Sequence, residues 1–331
     1  MNKTYKILAY IIYLIIVAEF FARSISYFTG HGFSTDNKRF ISPFFTGTDT
    51  PYPILTDSSG IFVRNQEVLF AKKKEELRIV FIGGSTTANR SNKKNISYSD
   101  KLSDYLDSAY SENIITVMNA GIAGFSSAHS LVNLSLRIVE FKPDIAVIHH
   151  NINDRTVNFI GDKTMPDYSN KYLSDFYLGY DHRNGIKGFL VRNFKAVRIL
   201  IWSSRAFKSL MIDDDFNERG KEDTILGKKY FKRNLESMLA ICKQHNIIPI
   251  LLNQPAKNIS DNPIHVDYND IVYKVAKNNN VGFIDIANSI SKNKSFFLDE
   301  VHYSSKGIEQ IAKIINPYIS KIIKEKIINT N

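Results

Sequence analysis

Ser85 closes the run RIVFIGGS, and Asp299 and His302 stand three residues apart in LDEVHYSSKG. A hydroxyl, an imidazole and a carboxylate are the parts of nucleophilic acyl transfer. The imidazole takes the hydroxyl proton, while the acid holds the ring in one tautomer and stabilises its cation. A short turn can bring Asp299 against one ring nitrogen of His302 and leave the other to face Ser85. Two further stretches lie between them. NAGIAGFSS (Asn119–Ser127) carries Gly121 and Gly124, which permit a tight turn and close approach of a ligand to the backbone. HHNINDR (His149–Arg155) carries amides and a carboxylate able to orient an oxyanion, a substrate hydroxyl or a loop. Singly, each stretch has a plainer reading. Gly-Gly-Ser-Thr is ordinary loop chemistry, and Asp299 with His302 could serve the start of a helix capped by Ser304 or Ser305. His149 and His150 are neighbours on a strand and point to opposite faces, which favours one core-facing and one site-lining histidine over a metal pair.

These stretches need elements to position them. The β-branched and aromatic run at Arg78–Gly83 reads as a buried strand of a parallel sheet. Further strands are expected at Asn113–Asn119, Asp144–His150, Ile247–Asn253 and Val281–Ile286. Helical spacing appears at Tyr98–Tyr110, Ala128–Phe141, Gly227–His245, Val266–Asn278 and Ser304–Ile328, with Pro317 expected to bend or break the last. Strands alternating with helices argue for an α/β domain with right-handed crossovers. Ligands of such sheets gather beyond the carboxyl ends of the strands, where Ser85, Asn119–Ser127 and His149–Arg155 all fall. The domain is expected over 78–326, with an insertion at 155–222. Within the insertion Phe189–Met211 is amphipathic and basic, and reads as a lid helix on the domain or a helix resting on a membrane surface.

The 331 residues are 44% apolar and 23% charged, a globular composition. The net charge of +10 is scattered, and no nucleic-acid-binding signature accompanies it, so a nucleic-acid partner is not expected. One cysteine, Cys242, excludes an internal disulfide and a cysteine-rich metal cage. Walker, G-x-S-x-G and H-E-x-x-H motifs are absent. At the amino end, Tyr5–Ala22 is almost wholly apolar, about the length that spans a bilayer. Residues 1–23 are expected to form an uncleaved signal anchor, with 24–77 as a linker or arm. A cleaved signal or a buried core helix is the plainer alternative. Lys3 and Lys6 on one side face Arg23, Lys38 and Arg39 on the other, so the positive-inside rule leaves orientation open.

Together the four stretches resemble the blocks of the SGNH hydrolases, the GDSL esterase/lipase family. Gly83-Gly84-Ser85-Thr86 matches the first block and Asn119–Gly124 the second. Asn151-Ile152-Asn153-Asp154 matches the third and Asp299-Glu300-Val301-His302 the fifth. Order and spacing agree over about residues 78–320. The resemblance implies a flavodoxin-like three-layer α/β/α sandwich on a five-stranded parallel sheet. It implies Ser85 as nucleophile, His302 as base and Asp299 as its orienting acid. The oxyanion hole it implies is formed by the backbone N–H groups of Ser85 and Gly124 and the side-chain amide of Asn153. No cofactor or metal is required. Two positions depart from the family pattern. Gly84 replaces the usual acid, and Asn151 replaces the glycine that usually opens the third block. Asn151 and His150 are therefore the expected substrate contacts.

The expected activity is a membrane-anchored serine esterase outside the cytoplasmic membrane, acting on an acylated glycan or lipid-linked ester, with O-deacetylation of a polysaccharide foremost. The rivals are a polysaccharide O-acyltransferase using the same triad, and a catalytically silent assembly or glycan-binding protein.

Overall fold

Five short apolar runs form one all-parallel sheet: β1 (Leu77–Gly83), β2 (Ile115–Asn119), β3 (Ile145–His149), β4 (Ile248–Leu252) and β5 (Gly282–Ile284), in the order β2-β1-β3-β4-β5. That is the flavodoxin-like doubly wound order, with its switch point between β1 and β3. Register runs from Phe81 opposite Asn119 and Val147 to Leu252 opposite Ile284. The computed structural model describes residues 3–29, 71–88, 96–112, 114–159, 163–172, 185–201, 203, 221–258, 262–291 and 293–328. Residues 30–70 of the expected 24–77 arm lie outside the described residues, as do 160–162, 173–184, 202 and 204–220 of the 155–222 insertion and with them most of the end of the expected Phe189–Met211 helix.

Alternate strand residues enter two cores, because side chains on a strand point to opposite faces. Ile79, Phe81, Ile145 and Val147 pack with helices α3 (Tyr98–Ala109), α10 (Ala287–Ile290) and α11 (Ser305–Ile328). Val80, Ile82, Ala146 and Ile148 pack with α4 (Ser127–Leu136), α8 (Lys221–Gln244) and α9 (Pro263–Asn278). The result is a helix–sheet–helix sandwich, and the near-continuous burial of β1 and β3 explains why they read as unbroken apolar runs. Cys242 is buried in the second core, where burial pushes its thiol up to about 12.

Several element limits differ from the sequence expectation. The helix expected over Ala128–Phe141 ends at Leu136, because Arg137 turns out of helical geometry (φ −132°, ψ −54°), and Ile138–Phe141 continues as a 3-10 turn. Pro317 does not end the last helix. Ile308, Ile311, Ile315, Ile319 and Ile323 form a fully packed stripe either side of it, and burial of that stripe outweighs the hydrogen bond proline cannot make. Helix α8 begins six residues before the expected start at Gly227. That glycine lies inside the helix, and a Cβ there would sit 1.7 Å from Asn158 Oδ1, so it admits a close crossing of the insertion.

At the amino end, α1 (Lys3–Thr29) is a 27-residue helix long and apolar enough to cross a membrane, although a signal sequence meets the same description.

Candidate active site

The first turn after β1 is strand-to-helix. Thr87 and Ala88 donate their backbone N–H groups to Gly84 O, which opens the short helix α2 (Ser85–Ala88) and puts Ser85 at the carboxyl edge of the sheet. Far along the chain, Leu298 N donates to His302 O and Phe297 bridges Tyr303, closing a tight loop before α11. Inside that loop Asp299 Oδ1 accepts from the backbone N–H groups of Val301 (2.9 Å) and His302 (2.8 Å). Its Oδ2 lies 2.7 Å from His302 Nδ1. The other ring nitrogen, Nε2, lies 2.9 Å from Ser85 Oγ. Serine, histidine and aspartate thus form one chain of short contacts across 217 residues of sequence. Partial burial pushes the Asp299 carboxyl upwards, but hydrogen bonds from His302 and Val301 outweigh it and hold its pKa below the ordinary value. A carboxylate so held accepts from Nδ1–H and leaves Nε2 as the acceptor facing the serine. The Asp299 side chain stays 57% exposed against 25% for His302, so water partly screens the pair.

The glycine-rich loop after β2 is tied to this turn. Asn119 Oδ1 accepts from Gly121 N (2.9 Å), and its amide donates to Thr87 O and Ser99 Oγ, each at 3.0 Å. Ile122 N donates to Gly83 O. Gly124 has φ +81°, a conformation a side chain resists, which is why glycine stands there.

Asn153 lies on α5 (Ile152–Arg155) and donates its Nδ2 to Phe125 O at 2.9 Å. A Cβ on Gly84 would fall 2.5 Å from that same Nδ2 and 2.9 Å from Phe125 O. The Asn153 amide therefore lies directly against the residue preceding Ser85, and the departure at Gly84 has a steric reason. The structure brings Ser85, His302, Asp299, Asn153 and the Gly124 loop to one edge.

Asn151 and His150 are placed elsewhere. The Asn151 side chain is buried and turns inward, its Nδ2 donating to His265 O (2.9 Å) and Asn269 Oδ1 (2.8 Å) of α9. Its Oδ1 has no partner among the described residues. His150 is buried with Nε2 2.8 Å from Ser130 Oγ, and His149 is buried on the opposite face, with Nδ1 3.0 Å from Tyr98 Oη and its ring stacked on Tyr303. Neither Asn151 nor His150 reaches the substrate side, and neither histidine lines the site. The bulk of Asn151 is absorbed by the second core. Among the described residues no group of three His, Cys, Asp or Glu could hold a metal ion.

Two residues that hold the site have no local sequence signature. Gln254, just beyond β4, accepts from Ile152 N through Oε1 (2.8 Å) and donates from Nε2 to Thr86 Oγ1 (3.0 Å), joining the serine turn to the Asn153 turn. Lys171, on α6 (Ser169–Tyr172) inside the insertion, is fully buried and donates from Nζ to Asn153 O at 2.5 Å. Beside it Asp154 is buried and accepts from Ser127 N and Ser127 Oγ. Burial lowers the Lys171 pKa while Asp154 works against that. Burial likewise raises Asp154 despite its Ser127 hydrogen bonds.

Three buried histidines make an acid-labile fold. Burial drops His149 to about 3, His150 to about 3 and His265 to about 4. The unfolded chain binds these protons near pH 6.5 and the folded chain does not until far lower. Stability is therefore whole above about pH 6.5 and is lost as pH falls towards 3, at up to roughly 1.4 kcal/mol per pH unit for each histidine. Asp154, raised, opposes this with a single proton. Thermal melting followed from neutral pH down to about pH 5 should show a steep fall in midpoint, and a flat profile would contradict the burial of neutral imidazoles.

Residues 81–309 match the model of the GDSL-like lipase/acylhydrolase family. Among solved structures, similarity extends to an acetylxylan esterase from Geobacillus stearothermophilus, with 16% identity, a TM-score of 0.47, and coverage of 72% of this chain and 92% of that one. It extends to a lipase/acylhydrolase from Enterococcus faecalis, with 18% identity, a TM-score of 0.45, and coverage of 73% and 95%. A GDSL-like lipase from Bacteroides thetaiotaomicron gives 15%, 0.44, 74% and 88%. No curated protein matches.

Proposed function

This chain belongs to the GDSL-like lipase/acylhydrolase family and is an ester hydrolase, and from that premise we propose that it is a serine esterase working through Ser85, His302 and Asp299. The observation that carries the reading is the unbroken run of contacts from Asp299 Oδ2 through His302 to Ser85 Oγ, at 2.7 and 2.9 Å. Ser85 Oγ attacks the ester carbonyl as His302 Nε2 takes its proton. The carbonyl oxygen becomes an oxyanion, met by the backbone N–H groups of Ser85 and Gly124 and by the Asn153 amide hydrogen not engaged with Phe125. His302 then returns the proton to the leaving alcohol, giving an acyl-enzyme. Water attacks that ester, with His302 again the base, and releases the acid and Ser85. Asp299 orients the ring and offsets its positive charge in both halves.

The substrate proposed is an O-acylated glycan or lipid-linked ester beside the cytoplasmic membrane, with acetyl the acyl group. Helix α1 is the single-pass anchor and the domain lies on the extracytoplasmic side. The apolar length of α1 supports the anchor, and the side on which the domain lies is part of the proposal. A transferase built on the same triad would hand the acyl group to a sugar hydroxyl instead of water. The test uses the full chain in detergent, an acetylated oligosaccharide as donor and an unacetylated one as acceptor. Free acetate with an unmodified acceptor is expected. An acetylated acceptor would replace hydrolysis by transfer, and no deacylation of any glycan or lipid ester would overturn the substrate assignment.

A further inference from the structure

Glu19 stands inside the apolar helix α1, yet its carboxylate is fully engaged. Oε1 accepts from Arg23 Nε at 2.8 Å and from Lys195 N at 3.0 Å, and Oε2 accepts from Ala196 N at 3.0 Å. Those two backbone groups open the helical residues 195–201, so a side chain 176 residues away serves as their cap. Lys195 Nζ returns a hydrogen bond to Ser26 Oγ (2.8 Å), and Ala22 and Ser26, one turn apart on α1, are buried. The single amphipathic helix expected from Phe189 onwards is thus broken at Phe194, and the break is where α1 docks. Before it lies α7 (Gly185–Asn193).

This docked unit exposes apolar side chains. Ile186 (78%), Phe189 (54%) and Leu190 (37%) recur at helical spacing on α7, and Leu200 (68%) follows. Residues 185–201 contain Lys187, Arg192, Lys195 and Arg198 and no acidic residue. An apolar stripe among basic residues, joined to a helix long enough to span a bilayer, fits an anionic lipid surface. A second copy fits poorly, because its matching segment carries the same charge.

Topology says which side of the domain this brings to the lipid. The insertion leaves after β3 and α5 and returns at Lys221, the start of α8, which runs back to the start of β4. Both points lie at the carboxyl edge of the sheet, as do Ser85, Gly124 and Asn153. Twelve residues, 173–184, lie between Tyr172 and Gly185, a reach of at most about 45 Å.

We propose that α7 and residues 195–201 form a second membrane contact, seated in the interface of an anionic bilayer and latched to α1 by Glu19, which holds the catalytic edge towards the membrane. The proposal rests on reading α1 as a membrane span, and its test separates the two. Nitroxide labels are placed by Phe189→Cys, Leu200→Cys, Ile12→Cys and Lys232→Cys in the full chain, where buried Cys242 does not compete. Collision with oxygen and with a nickel chelate is measured in vesicles of phosphatidylethanolamine and phosphatidylglycerol. Labels at positions 189 and 200 should be severalfold less open to nickel than the label at position 232 and severalfold richer in oxygen contact. Adding Glu19→Gln should return them to the aqueous pattern, while the label at position 12 stays in lipid. Circular-dichroism melting of the Glu19→Gln chain checks that the domain remains folded. Labels at 189 and 200 as open as that at 232, with position 12 in lipid, overturn the second contact and leave the anchor standing. An aqueous label at position 12 overturns the anchor itself. Labels indifferent to Glu19→Gln overturn the latch.

Discussion

Ser85→Ala should remove hydrolysis of a short-chain aryl ester, with kcat falling on the order of 10⁵-fold or more, and should also abolish covalent labelling by a fluorophosphonate probe. The size follows from the chemistry: without Oγ no acyl-enzyme forms, and water must attack unaided in a site built for another nucleophile. The substitution takes one oxygen from a partly exposed side chain, so the melting midpoint should stay within about what one hydrogen bond contributes, near 1 kcal/mol. Both measurements are needed, since unfolding would also end turnover. Retained turnover in a folded Ser85→Ala protein would eliminate Ser85 as nucleophile and the triad with it.

The second large effect is expected at Asn153. Its Nδ2 is held by Phe125 O, its backbone carbonyl accepts from Lys171 Nζ and Thr156 Oγ1, and its neighbour Asp154 is fastened to Ser127. A donor fixed before the reaction begins stabilises the oxyanion without reorganising, and losing one costs about 3 kcal/mol of transition-state stabilisation. Asn153→Ala should therefore lower kcat by a hundredfold or more and leave KM nearly unchanged, because the ground-state carbonyl makes little of that contact. A rise in KM with kcat preserved would instead assign Asn153 to substrate binding. The same reasoning gives Gly84 its role: any Cβ there displaces the Asn153 amide.

The acid-base residues and the architecture were legible in the chain for different reasons. Parallel strands are buried on both faces, so each appears as an apolar run whose end can be located within a residue or two, and reactive side chains just past those ends stand out. Ser85, Asn153, Asp299 and His302 are the candidates that stand there; the alternation of strands and helices indicates a parallel α/β sheet, and the flavodoxin-like arrangement comes from the family resemblance. Helix limits were less legible, since how far a helix runs past Pro317 or Gly227 depends on packing against distant elements. The direction of Asn151 and His150 was misread for a related reason. Both follow a strand at the active edge, but whether such a side chain turns out to substrate or in to a helix depends on what α9 and α4 offer it. Here they offer His265 O, Asn269 Oδ1 and Ser130 Oγ.

By itself, then, the amino-acid sequence determined the strands of a parallel sheet and the edge beyond which a hydroxyl, an imidazole and a carboxylate could meet. Those follow from local periodicity and from the steric rules of parallel strands. Only the tertiary structure decided how that edge is held. Lys171 under Asn153, Gln254 between two turns and Glu19 capping a helix 176 residues away are contacts between residues with no common period or motif. Buried polar and charged groups must find partners wherever the fold brings them, and which partner that is depends on three-dimensional neighbours that no stretch of sequence encodes alone.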